Sequence, residues 1–323
     1  MLSALNYTTK AIEAFVSYEA TSTALSKPAF RYLAGKLRQA QVFVLPDFGM
    51  ILDRSKAPPE VPASIFKPPF PVVALEYQAP VGRGRHDPVY TAAPCSKRIA
   101  LAWEWSDDFP HRHLIPEIRT LGEGVGIASI AYYDDPGIWL PVPAVFHLPY
   151  DAEWIDPQRT PFREHLVSSG GISKAAARSR SLAGTPVPLL LEAVAEMART
   201  MGRAGSVDRL GADLMDEFNA YSDLCCALAC KNVRAESVAA APALNKSRIK
   251  SGKLPLKDFH ILKLDGEQGS GSGSIAGADR RTHLRRGHIR RLAADRITWV
   301  NATIVHGRKA GFADKAYAIG GRA

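Results

Sequence analysis

Apolar residues recur at helical spacing through the first forty positions. Leu5, Ile12, Phe15 and Val16 stand among polar neighbours over residues 3–20, and Phe30, Leu33 and Leu37 repeat at three-to-four spacing after Lys27-Pro28. Two helices are predicted there, the second reaching Gln41, and Gln41–Leu45 reads as a short strand. Between Pro46 and Pro71 the prolines at 46, 58, 59, 62, 68, 69 and 71 interrupt any period. A residue with fixed φ and no N–H donor predicts extended or looping chain. Four strands follow at Val72–Tyr77, Arg98–Trp105, Gly126–Tyr133 and Ile138–Phe146. The second alternates, with Ile99, Leu101, Trp103 and Trp105 on one face, and Asp134-Asp135-Pro136-Gly137 suits a tight hairpin between the last two.

Arg163 to Thr185 is small, polar and basic, and predicts a surface loop. Two helices come next: the apolar run Val187–Met201, and a second capped by Ser206. Along the second, Val207, Leu210, Leu214, Phe218, Tyr221, Cys225 and Leu228 keep three-to-four spacing and read as core. Asp208, Asp213, Asp216 and Glu217 lie off that stripe and read as a solvated face. Past Asn232, residues 241–253 suit a short basic helix stopped by Gly252, and Lys257–Leu264 reads as a strand. After a Gly/Ser linker at 266–278, the runs Thr282–Leu292 and Arg296–Val305 flank a turn at Ala293–Asp295. With Lys257–Leu264 they would make a small three-stranded sheet. The fold class is α+β: an antiparallel sheet with flanking helices, a helical middle segment and a small basic β-rich C-terminal module. The expected divisions are 1–185 for target recognition, 186–240 for the helices and 241–323 for the basic module.

Composition changes this picture little, with 46% hydrophobic, 23% charged and 8% aromatic residues. These values exclude a disordered, collagen-like or disulfide-stapled chain. No run approaches the ~18 apolar residues of a membrane span, so no membrane partner is expected. The first ten residues lack the basic start and apolar run of a signal peptide, and the cytoplasm, of a host cell, is the expected location. Cys225, Cys226 and Cys230 cluster on one helix and, with Cys95, read as small buried hydrophobes rather than zinc ligands. Charge is more telling. Residues 1–230 carry 22 Lys+Arg against 25 Asp+Glu, whereas residues 231–323 carry 19 against 7. An acidic-to-neutral body with a basic final third points to a polyanionic partner, most often nucleic acid.

The densest basic cluster is His283-Leu284-Arg285-Arg286-Gly287-His288-Ile289-Arg290-Arg291. Arginine presents a planar fork to phosphate, and histidine donates to phosphate or moves protons near neutrality. Lys246, Arg248, Lys250 and Lys253 form a second cluster, and Trp299, with Phe259, offers a stacking surface for an unpaired base. Three readings stay open: phosphate binding; RNA cleavage by His283 and His288 as acid and base with Arg286 on the phosphate; or a charged edge strand guarded against aggregation. The cleavage reading needs a bulge at Gly287, because an odd separation on a regular strand splays the two histidines. Elsewhere, His111-Arg112-His113 lacks partners for a metal site, and the glycine run 122–126 has no following Lys-Ser/Thr. Gly82-Arg83-Gly84-Arg85-His86 suits a basic loop. No cofactor or metal is expected.

The stretch from Leu244-Asn245-Lys246 through Gly252-Lys253-Leu254-Pro255-Leu256, the core His283-Leu284-Arg285-Arg286-Gly287-His288, Trp299-Val300 and the closing Gly311-Phe312-Ala313-Asp314-Lys315-Ala316-Tyr317 together resemble a widespread group of phage proteins. The His-x-Arg-Arg-Gly-His core before a Trp-bearing strand also resembles the end of the large type V-A anti-CRISPR proteins. That family recognises the nascent N-terminus of the type V effector nuclease and lowers its mRNA. The resemblance covers about eighty residues well and residues 1–185 hardly at all. It implies a C-terminal module that engages RNA, a ribosome-associated complex or a decay factor. The front half would choose a protein target, either a host protein or a CRISPR effector. The remaining alternative is a pure interaction module whose front half grips a peptide.

Overall fold

The computed structural model describes residues 5–52, 60–79, 94–157, 160–168 and 177–264, and the strand backbones 283–285, 288–293, 296–300 and 303–305. Helices α1 (Tyr7–Thr21) and α2 (Lys27–Gln39) form where the apolar spacing places them. Ile12 and Phe15 of α1 and Phe30, Leu33 and Leu37 of α2 are buried, with the rings of Phe15 and Phe30 5.7 Å apart. Strands β1 (Gln41–Val44), β2 (Val72–Gln78), β3 (Lys97–Glu104), β4 (Gly124–Tyr133) and β5 (Ile138–Pro149) follow. The β4–β5 turn is the expected one. Gly137 takes φ +85°, a left-handed conformation that glycine adopts without strain.

After β5 come β6 (Trp154–Ile155), α3 (Pro161–Ser168), β7 (Ser181–Leu182), β8 (Thr185–Pro188), α4 (Leu191–Leu228), β9 (Val233–Val238), α5 (Pro242–Lys250) and β10 (Phe259–Leu264). An eight-stranded sheet in the order β8-β5-β4-β3-β2-β1-β10-β9 organises the molecule. All its neighbours are antiparallel except β1, which runs parallel to both β2 and β10. The α+β class holds as a large, mostly antiparallel sheet with helices.

Three expectations are corrected here. The segment 163–185 carries α3 and β7 rather than being loop alone, and β8 follows from Thr185. The Thr-Pro-Val-Pro sequence of β8 lacks two N–H donors, and such a strand fits at a sheet edge. The helix expected from Val187 begins at Leu191, since Val187 pairs with Val145 in the sheet. The strand at Lys257–Leu264 does not join the C-terminal strands; it lies between β1 and β9 in the main sheet. That sheet therefore takes strands from all three expected divisions.

Both faces of the sheet are covered. Val72, Ala74, Ile99, Leu101, Trp103, Ala128 and Ile130 lie in the core beneath α1 and α2. The alternate residues Val73, Leu75, Tyr77, Ala100, Ala102, Val125 and Ile127 join Ala220, Tyr221, Leu224 and Cys225 of α4. The alternation seen in β3 is thus large side chains toward one layer and alanines toward the other. Ala100 and Ala102 let α4 approach closely.

Helix α4 breaks at Gly202 (φ 76°, ψ 162°), so its two halves correspond to the two expected helices. Ser206 is not a cap: it is buried inside the second half, and its Oγ donates to Arg203 O at 2.8 Å. Val207 is 46% exposed, whereas Leu210, one turn further on, packs with Val142 and Ala144. The larger surprise is Glu217. It was expected in water, yet it is fully buried and accepts hydrogen bonds from Arg98 Nε (2.7 Å), Arg98 Nη2 (2.9 Å) and Tyr77 Oη (2.7 Å). The buried stripe runs Leu210, Leu214, Glu217, Tyr221, Leu224, with Phe218 only partly buried at its margin. Next to the carboxylate, and buried, the Tyr77 phenol is held well above its ordinary range.

Glu217→Leu leaves the Arg98 guanidinium without its counter-charge, and the expected loss is about 3–5 kcal/mol in a urea unfolding experiment. The double variant Arg98→Met/Glu217→Leu is expected to recover most of that loss, since an apolar pair needs no neutralisation.

Candidate nucleic-acid interface

The basic final third has two described parts. The first is α5 with its cap. Pro242 opens the helix at a position that needs no N–H donor. Gly252, at φ +68°, closes it: Lys253 N donates to Arg248 O at 2.9 Å and Gly252 N to Ile249 O at 3.0 Å. This is the crossed pair of a Schellman cap, as the glycine predicted. Asn245 fastens the following loop, donating from Nδ2 to Leu256 O (3.0 Å) and accepting at Oδ1 from Leu256 N (2.7 Å).

The four basic residues of this part divide. Lys246, Lys250 and Lys253 are exposed. No carboxylate among the described residues pairs with any of the three. Arg248, expected on phosphate, turns inward instead. Its Nε donates to Leu254 O at 2.7 Å and its Nη2 lies 3.5 Å from Glu13 Oε1 of α1. Its position on α5 faces α1, so its charge is used to dock the helix.

The second part is a pair of two-stranded sheets, described by their backbone. Strands β11 (His283–Arg285) and β12 (His288–Ala293) pair antiparallel with β14 (Thr303–Val305) and β13 (Arg296–Val300) respectively. His283 lies opposite Val305 and His288 opposite Val300, so the same register holds on both sides of positions 286 and 287. A register shift falls between Arg291 and Ala293, and the bulge that the cleavage reading needs at Gly287 lies outside the described residues. His283 and His288 keep their odd separation in the sequence and lie in two separate sheets. The basic positions divide the same way, with 285 in the first sheet and 288, 290 and 291 in the second. Trp299 lies opposite Ile289. Arg286, Gly287, the linker 266–278, the loop at Gly82–His86 and the motif Gly311–Tyr317 lie outside the described residues.

Compared with known proteins, the chain matches no family model and no curated sequence.

The other candidate residues serve packing. His111 is buried and His113 exposed, so the two do not converge. A Cβ on Gly124 would sit 2.4 Å from Leu148 O and one on Gly126 2.9 Å from the Trp103 ring, so the glycine run exists to let strands close. Cys225, Cys226 and Cys230 are buried free thiols, as expected, and burial pushes Cys225 up to about 12 and Cys230 up to about 11. They are protonated at neutral pH. Among the described residues no group of three His, Cys, Asp or Glu side chains is placed to hold a metal ion, and no helix is long and apolar enough to cross a membrane.

His147 had no counterpart in the sequence reading. Its ring lies 4.8 Å from Trp105, edge to face, and its Nε2 is 3.2 Å from Gly122 O. Nδ1 is buried with no partner among the described residues, and burial holds the imidazole below its usual range. A proton on Nδ1 would find no acceptor. The unfolded chain, with an ordinary histidine near pH 6.5, binds that proton more readily than the folded one. Stability from this group is present above pH ~6.5 and is lost as pH falls through that value toward the folded pKa. Urea midpoints measured between pH ~7.5 and ~5.5 are expected to fall for the parent chain and to fall less for His147→Gln, which keeps a donor for Gly122 O.

Proposed function

We propose that the chain is a phage-encoded, anti-CRISPR-like or host-takeover regulator that binds RNA, free or within a translation complex, through its basic final third. Its front half would take a protein target, a host protein or a CRISPR effector. The observation that carries this reading is the trio Lys246 and Lys250 on a firmly capped helix and Lys253 just past its cap, all exposed and with no carboxylate partner among the described residues. A lysine kept from internal ion pairs can neutralise a phosphate, and the cations condensed on the nucleic acid are released as it does so. Basic positions on the β11–β14 and β12–β13 strand pairs add to it, since a two-stranded pair can enter a nucleic-acid groove.

Titration of a labelled single-stranded RNA with the full chain tests this. Affinity is expected to fall with salt at a log–log slope of roughly −0.7 per phosphate contact. The triple variant Lys246→Gln/Lys250→Gln/Lys253→Gln should reduce the slope by about 2. Arg248→Gln, by contrast, should lower thermal stability and leave the slope nearly unchanged. A salt-insensitive complex, or no complex at low salt, would refute the reading.

A further inference from the structure

A small cavity away from the basic surface gathers polar groups from distant parts of the chain. It lies between the start of α1, the strands β1, β2 and β10 and the loop that follows α5. Asn6, Thr8, Glu76 and Lys257 line it beside the apolar Val42 and Phe259. Glu76 is a buried carboxylate that β2 brings to the N-terminal end of α1, where its Oε1 accepts from Thr8 N at 2.7 Å. That bond answers one of the four N–H groups that a helix start leaves unpaired. Asn6, the residue before α1, would ordinarily cap the helix with its own side chain. It makes no cap bond here, because Glu76 has that role, and Asn6 Oδ1 is buried without a hydrogen-bond partner among the described residues. Thr8 is 1% exposed and its Oγ1 is left in the same condition. The hydroxyl is close enough to Glu76 to favour the carboxylate, but it makes no aligned hydrogen bond with it.

Two buried oxygens that lack partners and share a cavity state what fills it, since each bears the cost of its lost hydration. The cavity measures about 10 Å³, room for one molecule of the size of water and for no metabolite. Charge narrows the choice further. An anion would be repelled by Glu76. A cation would stand against the Lys257 ammonium, which lines the same cavity and interacts with Glu76, and against the positive end of α1. The occupant that fits is small, neutral, and both a donor and an acceptor.

We propose that this cavity binds one resident water molecule, which donates to Asn6 Oδ1 and to the Glu76 carboxylate and accepts from the Thr8 hydroxyl. Three hydrogen bonds are the usual complement of a buried water. A carboxylate has lone pairs for one of them besides the bond from Thr8 N. The cavity is closed by Leu256 and Lys257, and that loop is fastened to α5 by Asn245 and to α2 by the Lys257 ammonium. The water therefore seats the start of α1 against the segment that positions the basic helix, whatever that helix binds.

A high-resolution crystal structure of the full chain, with and without a rubidium soak, tests the site. The expected result is a single peak within hydrogen-bond distance of Asn6 Oδ1 and Thr8 Oγ1 that gives no anomalous signal with rubidium. A rubidium signal there would make the occupant a cation and overturn the proposal, and so would the lack of any peak. In solution, oxygen-17 relaxation dispersion of the solvent counts long-lived internal waters. Thr8→Ser keeps the hydroxyl and should keep the count, whereas Thr8→Val should shorten the residence time of one water by about tenfold, the equivalent of one net hydrogen bond. A valine variant that folds and leaves every residence time unchanged overturns the assignment, as does a serine variant that loses the water. If the valine variant does not fold, the parent crystal and the serine variant still decide between the outcomes.

Discussion

The buried Glu217 carboxylate constrains the rest of the molecule. A charge removed from water persists only where a partner of opposite charge and hydrogen-bond donors fill its lone pairs. Arg98 on β3 supplies two donors and Tyr77 on β2 a third, so the second half of α4 has one height and one rotation against the sheet. Two residues of the next turns then fasten the proline-rich crossover between β1 and β2. Tyr221 Oη donates to Phe66 O at 2.7 Å, and Asp223 accepts from Ile51 N and Leu52 N at 3.1 Å each. A segment whose own backbone pairs only in short 3-10 turns is held by side chains from a helix.

The opposite layer is closed in a related way. Lys257, in the approach to β10, donates from Nζ to the carbonyls of Leu37, Arg38 and Ala40 at 2.7–2.9 Å, covering the C-terminal end of α2. An ammonium is favoured there, where the helix dipole is negative. Arg248 ties α5 to α1 nearby. Part of the positive charge of the final third is therefore structural, and it mounts α5 on the sheet with Lys246, Lys250 and Lys253 outward. The proposed RNA contact rests on that division of labour. A rigid mount keeps the lysines in a fixed pattern, so less order has to be imposed when an anion arrives.

Local patterns were legible wherever their cause is local. The spacing in α1 and α2, the alternation in β3, the turn at Asp134–Gly137 and the glycine stop of α5 each reflect a conformational rule acting within a few residues. Glu217 escaped because a charged residue beside an apolar stripe is read as solvent-facing unless its partner is known. That partner is 119 positions away in the chain. Strand β9 escaped because an edge strand with two charges has no hydrophobic face to mark it. The two basic clusters were legible as composition, but the inward turn of Arg248 was not, since it depends on Glu13 in the first helix.

The sequence by itself determined the α+β character, the two helical layers' apolar faces, the burial of the cysteine cluster and the concentration of positive charge in the final third. Each of these follows from residue type and short spacing. Only the tertiary structure decided that β9 and β10 complete the main sheet, that Glu217 is an internal ion-pair partner and that Arg248 serves the fold while its neighbouring lysines face outward. Those outcomes depend on which distant groups meet. A charge has no preferred side until the fold supplies either a counter-charge or water.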